Sequence, residues 1–415
     1  MNSESSAVPF RWLNVVILAL AVFHSGGVPI IEFYYLTTAL GALVVLRFFL
    51  RGTLPTTALL LYSAAIAGLL FAHFVLSDRT QNPKLYVLYL GYAVIALAIV
   101  LHYMHSADDV ATDFRDALVF FMVWSFAGFL LQFPFSDRIG TYAKGDYEAL
   151  TFANLFFYPR FAEAEVPFLH NVYRSQGLFW EPGIQQIYMN ALLFVALYCR
   201  PSRWMAWGAI AAVLLTVSTA GYVVLLYVAG PWLIGVVRRR PAFAPLTIAL
   251  AAVLVVAAMI NWTEKVHGSG SRSAQARETD FRVGMELFRE YPWAGIGLSR
   301  ERMHDLSAMS YLQSQGGPLK PEEVEKFKGF TSSLVYLTCG LGLFGAVLFV
   351  VCFYRQQLLP EWPLYWLGMV MLCAVSEPIL NTPLFLMFPV SGLTTLLMPR
   401  AVGLPAAQRA LLDRG

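Results

Sequence analysis

An all-α, polytopic membrane protein is the fold class that the sequence predicts, and three observations predict it. Hydrophobic residues make up 58% of the 415 and charged residues 13%, with a mean hydropathy of +0.60. Soluble domains are about a quarter charged, so a water-soluble fold could not hide this much apolar surface. The apolar residues also fall in runs of spanning length. Finally, lysine and arginine gather on alternate connections between those runs, which is the pattern of cytoplasmic loops.

A hydrocarbon core about 30 Å thick needs roughly 17–25 apolar residues per helix. Runs of that order lie near 12–25, 28–50, 54–76, 84–104, 114–133, 183–199, 204–218, 220–237, 242–260, 331–354, 362–376 and 379–398. That makes about twelve transmembrane helices, the first, seventh and eleventh being short. With the N-terminus inside, the inner side collects Arg11, Arg47, Arg51, Arg115, Arg200, Arg203, the triplet Arg238–Arg240, Arg355, Arg400, Arg409 and Arg414. The short outer connections hold Arg79 and Lys84. Both termini are therefore expected in the cytoplasm. The polar start MNSESSAVPFRW precedes a short apolar run without a small-residue cleavage site, which reads as a retained first helix.

Two functions are excluded early. The net charge of +3 comes from scattered basic residues, so no nucleic-acid partner is implied. Cys199, Cys339, Cys352 and Cys373 lie in or beside apolar runs without CxxC spacing, and read as packing residues rather than metal ligands or disulfides.

The expected organisation has five parts: membrane helices over 1–133, a first outer segment over 134–182, central helices over 183–260, a second outer segment over 261–330, and membrane helices with a cytoplasmic tail over 331–415. Long connections in an otherwise tightly connected chain are usually functional. The stretch NLFFYPRFAEAEVPFLHNVY in the first is dense in aromatics and suits a short amphipathic helix on the bilayer surface. In the second, Phe281, Val283, Met285, Leu287 and Phe288 keep a roughly helical spacing. Tyr291-Pro292 should stop that helix, and Gly295 and Gly297 should turn the chain.

Ten residues, RSQGLFWEPG from Arg174 to Gly183, stand where the first outer segment meets an apolar run. Pro182 suits the first turn of a helix, and Glu181 before it suits the positive end of the helix dipole. Trp180 and Arg174 fit an interfacial anchor as well as a ligand site. His24, Glu32, His73 and Glu377 fall toward the outer ends of their runs. Ionisable groups at such depth face a cavity or one another, so they suggest an outward-facing polar vestibule that also includes Glu181. Arginines occur in both outer segments: Arg174 in the first, Arg282, Arg289, Arg300 and Arg302 in the second, with Arg282 and Arg289 seven apart on one helix face. Arginine holds phosphate in a planar fork without a metal. Asp146 with Glu148, Glu163 with Glu165, and Glu322 with Glu323 read as solvated charge, so no metal and no cofactor is expected.

The succession of arginine, GLFWEPG, a helix, STAGY at the start of another, and then FRVGMELFREYPWAGIGL resembles the O-antigen polymerase and ligase superfamily, most closely its Wzy-type polymerases. The recognisable motifs cover roughly 170–350. The resemblance implies a GT-C-like architecture in the bacterial inner membrane, with both long segments in the periplasm. It implies donor and acceptor glycans linked to undecaprenyl pyrophosphate, and leaves room for a chain-length-regulating partner. The family's arginine before G-F-x-E-P falls on Arg174, and its arginine before P-x-x-G-x-G falls on Arg282. Ligases of the superfamily carry a His-Asn pair before the helix after the second segment; here Thr331, Ser332 and Ser333 stand there.

A glycosyl-transferring polymerase is the function this reading implies. Arg174 and Arg282 would hold the pyrophosphate leaving group. Glu181 would serve as base or position the acceptor, with His170 and His304 behind it. Arg289, Trp180 and Tyr188 are further substrate-binding candidates, and Phe179 and Trp293 could stack on sugars or anchor at the interface. A ligase is the alternative. A transporter is the rival class, but transporters place ionisable groups and broken helices near mid-membrane, whereas here they gather in the outer segments.

Overall fold

The computed structural model describes residues 10–52, 55–77, 82–106, 108–145, 147–160, 165–166, 169–267, 271–298 and 332–397. Each of the twelve apolar runs carries a helix. In chain order these are α1 (Arg11–His24), α2 (Phe33–Arg51), α3 (Thr56–Leu76), α4 (Pro83–Met104) and α5 (Val110–Leu131). Then follow α6 (Pro182–Phe194, continued by a π-helical turn over Val195–Cys199), α7 (Arg203–Leu215), α8 (Thr219–Arg239) and α9 (Ala244–His267). A thirteenth, α10 (Ser271–Glu290), lies in the second long segment, followed by α11 (Ser333–Tyr354), α12 (Pro363–Ser376) and α13 (Pro383–Leu397).

Among the described residues, seven helices are long and apolar enough to cross a bilayer: α2, α3, α4, α5, α8, α9 and α11. The helices α1, α7, α12 and α13 are apolar but shorter. The protein is thus a predominantly helical, multi-pass membrane protein, and the number of crossings is open to direct measurement. Reporter fusions after Arg240 and Arg355 are expected to read cytoplasmic, and a fusion at Gly145 the opposite side. A reversed reading at Gly145 would place the first long segment, and the residues packed against it, on the cytoplasmic side. Gly270, the matching position in the second segment, lies outside the described residues, as do the termini.

The helix α6 is the axis of the bundle, with every residue from Ile184 to Ala196 buried. Its neighbours are α5, α7, α8 and α12. Hydrophobic burial gives little drive for such packing inside lipid, so interhelical contacts and hydrogen bonds must supply it. Buried Gln185 and Asn190 do so: the Gln185 amide reaches Ser125 of α5, and the Asn190 amide donates to the Gly221 carbonyl at 3.3 Å. All four cysteines are free and buried.

One end of the bundle is closed by charge. Arg47, itself buried, approaches Asp108 at 3.2 Å, and Arg51 approaches the same carboxylate at 3.1 Å. The Arg11 Nε–H donates to Asp113 at 2.7 Å, and Asn14 and Tyr103 donate to its other oxygen. Arg200 pairs with Asp109 at the start of α5. The arginines that set the expected orientation are therefore also clamps. Arg47–Asp108 is buried on both sides, and breaking such a pair by removing one partner costs about 3–5 kcal/mol; the more exposed pairs of Arg11 and Arg200 add less.

The first long segment corrects one expectation. In place of an amphipathic surface helix it holds strands: β1 (Gly140–Lys144), β2 (Tyr147–Phe152) and β3 (Phe156–Tyr158) form an antiparallel sheet in the order β1-β2-β3. The strands β4 (Glu165–Val166) and β5 (Leu169–Tyr173) form a second, two-stranded sheet. The aromatic content that suggested a bilayer-facing helix is also a strand preference, and Pro159 and Pro167 lie inside the stretch assigned to that helix. The fold is accordingly helical with two small sheets, rather than purely α.

The second segment follows its pattern more closely. α10 ends at Glu290, just before Tyr291-Pro292, while α9 runs seven residues past the expected limit of its apolar run. The turn after Pro292 has Gly295 at φ 72° and Gly297 at φ 90°. It interlocks with α11, which is broken at Gly342 (φ 65°, ψ −174°). Ile296 N–H donates to the Cys339 carbonyl at 2.9 Å and Gly297 N–H to the Gly340 carbonyl at 2.9 Å. In return Leu343 N–H donates to the Pro292 carbonyl at 2.8 Å. The PWAGIGL stretch is thus sewn into a gap in a membrane helix. Its glycines are needed because two backbones meet there: a Cβ on Gly295 would overlap the Cys339 and Gly340 carbonyl oxygens.

Candidate active site

At the end of the bundle away from the charge network, the RSQGLFWEPG stretch is built into the protein from three sides. Val28 N–H donates to the Leu178 carbonyl at 2.9 Å and Trp180 N–H to the Gly26 carbonyl at 3.1 Å, so the stretch pairs with the exit from α1. Phe179 is fully buried and stacks on Tyr188 of α6 with ring centroids 4.8 Å apart. From above, the Tyr147 hydroxyl of β2 donates to the Trp180 carbonyl at 3.4 Å and accepts from the Gln176 amide at 3.1 Å. Burial pushes the Tyr147 phenol up to about 12, so it remains a donor at any ordinary pH.

Arg174 is half-buried, and its Nε–H donates to the Thr216 carbonyl at 2.9 Å. Ser175 N–H donates to the Leu215 carbonyl at 2.9 Å. Both hold the stretch against the end of α7, directly before Ser218, whose hydroxyl caps α8 by accepting from Gly221 N–H at 3.3 Å. The arginine motif and the STAGY motif, about forty residues apart in the chain, are therefore neighbours in space.

Glu181 is the N-cap residue of α6, in an extended conformation with φ −155° and ψ 159°. Its backbone carbonyl accepts from Ile184 and Gln185 N–H, but its side chain makes no cap bond. The carboxylate is therefore not committed to capping, and Pro182 supplies the preorganised first turn. Across Gly183 lies Glu377, at the end of α12 and 4% exposed. A Cβ on Gly183 would overlap a Glu377 carboxylate oxygen, and a Glu181 oxygen lies 3.7 Å from that same point. The two carboxylates, 196 positions apart in the sequence, flank one glycine.

The third member comes from α10. Arg277 Nη2 stands 3.8 Å from Glu377 Oε1, and its Nε–H is buried without a partner. Sequence reasoning passed Arg277 over, because the arginine was sought among the apolar residues 281–288. The signal was present in the helical period: Asp280, Val283 and Leu287 are the buried positions of α10, and Arg277 sits one turn before Asp280 on that face. Arg282 and Arg289 share the opposite, exposed face, where Phe281 is 59% exposed. Of the apolar residues around Arg282, Phe281 and Met285 share this exposed face, whereas Val283 is buried.

The other candidates are scattered. Tyr188 was expected to touch substrate, but it is fully buried beneath Phe179, where its ring supports the stretch from below. Trp180 is 39% exposed at the rim. His170 lies in β5, and His304, Arg300, Arg302 and Thr331 lie outside the described residues. Of the four polar groups expected to share a vestibule, Glu377 is the one brought to Glu181. Among the contacts of the described residues, His24 engages Thr37 at 2.8 Å, Glu32 pairs with Lys144 at 2.9 Å, and His73 lies 3.2 Å from the Gly340 carbonyl oxygen. Trp293 stacks on Phe344, with centroids 5.3 Å apart. Ser332 caps α11, and Ser333 Oγ accepts from Leu380 N–H at 3.1 Å, so both serines hold the corner that carries Glu377.

Chemically, the site offers a charged fork beside two carboxylates at one mouth of a membrane bundle. Residues 204–350 match the family described as O-antigen ligase. The matched span runs from α7 to α11 and contains Arg277, Arg282 and the interlocked glycine turn, while Arg174, Glu181 and Glu377 lie outside it. No curated protein matches the chain. The match supports a membrane function of the O-antigen ligase or polymerase type, a glycosyltransferase-like class acting on lipid-linked glycans at the bilayer.

Proposed function

We propose that the protein is a polysaccharide polymerase that joins repeat units carried on undecaprenyl pyrophosphate, at the periplasmic face of the inner membrane. The observation that carries this reading is the convergence of Glu181, Glu377 and Arg277 at one mouth of the bundle, next to the Arg174 motif. The acceptor sugar hydroxyl attacks the anomeric carbon of the donor glycan. The bond from that carbon to the pyrophosphate oxygen breaks, and the pyrophosphate lipid leaves with both electrons. Arg277, with Arg174 as a further holder, stabilises the charge gathering on it. Glu181 takes the hydroxyl proton, a role its uncommitted carboxylate permits.

Deleting the protein is expected to leave lipid-linked repeat units to build up unpolymerised. Glu181→Gln is expected to insert normally and yield little long polymer, because an amide has no useful proton affinity. Abundant long polymer from that variant at saturating donor would leave Glu181 only its place at the helix start.

A ligase is the second reading, favoured by the description of the matched family. The serines that occupy the ligase histidine's place speak for the polymerase. The two readings separate on the acceptor: a polymerase extends a second lipid-linked unit, whereas a ligase moves the glycan onto a different acceptor without lengthening it.

A further inference from the structure

We propose that Glu377 is a positioning residue for Arg277, holding its guanidinium near Nη2 so that its remaining donors face a pyrophosphate oxygen. The inference rests on the functional reading above for the ligand, and on contacts within the protein for the arrangement.

Three observations carry it. Glu377 is almost fully buried and its Oε1 stands 3.8 Å from Arg277 Nη2, within ion-pair range. The Arg277 Nε–H is buried with no partner, although a buried donor left empty is costly and therefore rare. A guanidinium held near a carboxylate at Nη2 while its Nε–H donor stays open is a fork with a donor left for an anionic oxygen. Finally, the chain makes room for this carboxylate. The glycine of the EPG motif is the one residue at 183 that does not drive a side chain into Glu377. The corner bearing Glu377 is pinned as well, since its carbonyl accepts from Ser333 N–H at 3.3 Å. Gly183 and the Ser332-Ser333 pair thus serve the placement of one carboxylate.

The test uses the full-length protein in nanodiscs with undecaprenyl pyrophosphate, without glycan, as the probe. Glu377→Gln is expected to weaken binding about tenfold, with Glu377→Asp retaining part of it. Gly183→Ala, which displaces the carboxylate without removing it, is expected to weaken binding comparably. Arg277→Lys combined with Glu377→Gln is expected to bind no worse than Arg277→Lys alone, because the glutamate acts through the arginine. Unchanged binding by Glu377→Gln, or losses that multiply in the double variant, would overturn the proposal. Melting temperatures, without ligand, of the unmodified protein, Glu377→Gln, Arg277→Lys and the double variant provide a separate reading. Non-additive losses there support the pairing, and additive losses refute it. If the unmodified protein binds no undecaprenyl pyrophosphate, the functional reading falls, and the melting cycle still decides whether Glu377 holds Arg277.

Discussion

Arg277→Lys is expected to abolish long polymer while leaving the protein in the membrane at near-normal amounts. The side chain is 35% exposed and makes one long ion pair, so its removal takes little from the fold. Its value lies in an open, buried Nε–H on a guanidinium held near Glu377 at Nη2, and lysine offers a point charge without that fork. Losing a fixed donor to a developing negative charge costs about 10²–10³ in rate. Arg282→Lys, on the exposed face of the same helix, is expected to cost less. Polymer length on gels, with immunoblots for protein amount, checks both. Equal losses from the two variants would mean that α10 presents a different face to the ligand.

Gly342→Ala is expected to cost much of the protein's stability. The backbone there has φ 65° and ψ −174°, a region that residues with a Cβ almost never enter, and strain of this kind costs about 1–3 kcal/mol. The added Cβ would also overlap the Trp293 carbonyl oxygen and the Gly295 nitrogen, both backbone atoms with nowhere to move. Gly68→Ala and Gly91→Ala are suitable controls, because a Cβ at either meets nothing within 4 Å. Melting of the detergent-solubilised protein is expected to show a large drop for Gly342→Ala and none for the controls. A Gly342→Ala protein that melts with the controls would mean that α11 closes its gap without the turn.

The helices were legible because an apolar run of spanning length has few alternatives, and all twelve runs became helices with ends near those expected. The aromatic stretch after Pro134 was misread because Phe and Tyr favour both a bilayer interface and a strand, and composition does not choose between them. At the candidate site, Arg174 and Glu181 could be singled out from the sequence because they stand in one motif at a helix start. Arg277 was missed for the opposite reason: its partner Glu377 is 100 positions away, and only the folded chain brings the two together. The inner charge network was half seen. Its arginines mark orientation in the sequence, while their partners Asp108 and Asp113 carry no local signal that they hold them.

The glycine turn threaded through α11 bears on how this protein can be recombined. Because residues 292–297 and 339–344 share backbone hydrogen bonds, the turn after α10 forms one structural piece with α11. A chimaera joined between them would pair a turn with a helix gap shaped for a different partner. A junction at either edge of 204–350 keeps that piece whole but separates Arg277 from Glu181 and Glu377. Exchanging sugar specificity between relatives by swapping the matched segment alone should therefore produce proteins that assemble yet work poorly, and grafts carrying the EPG stretch and the α12–α13 corner together with it should fare better.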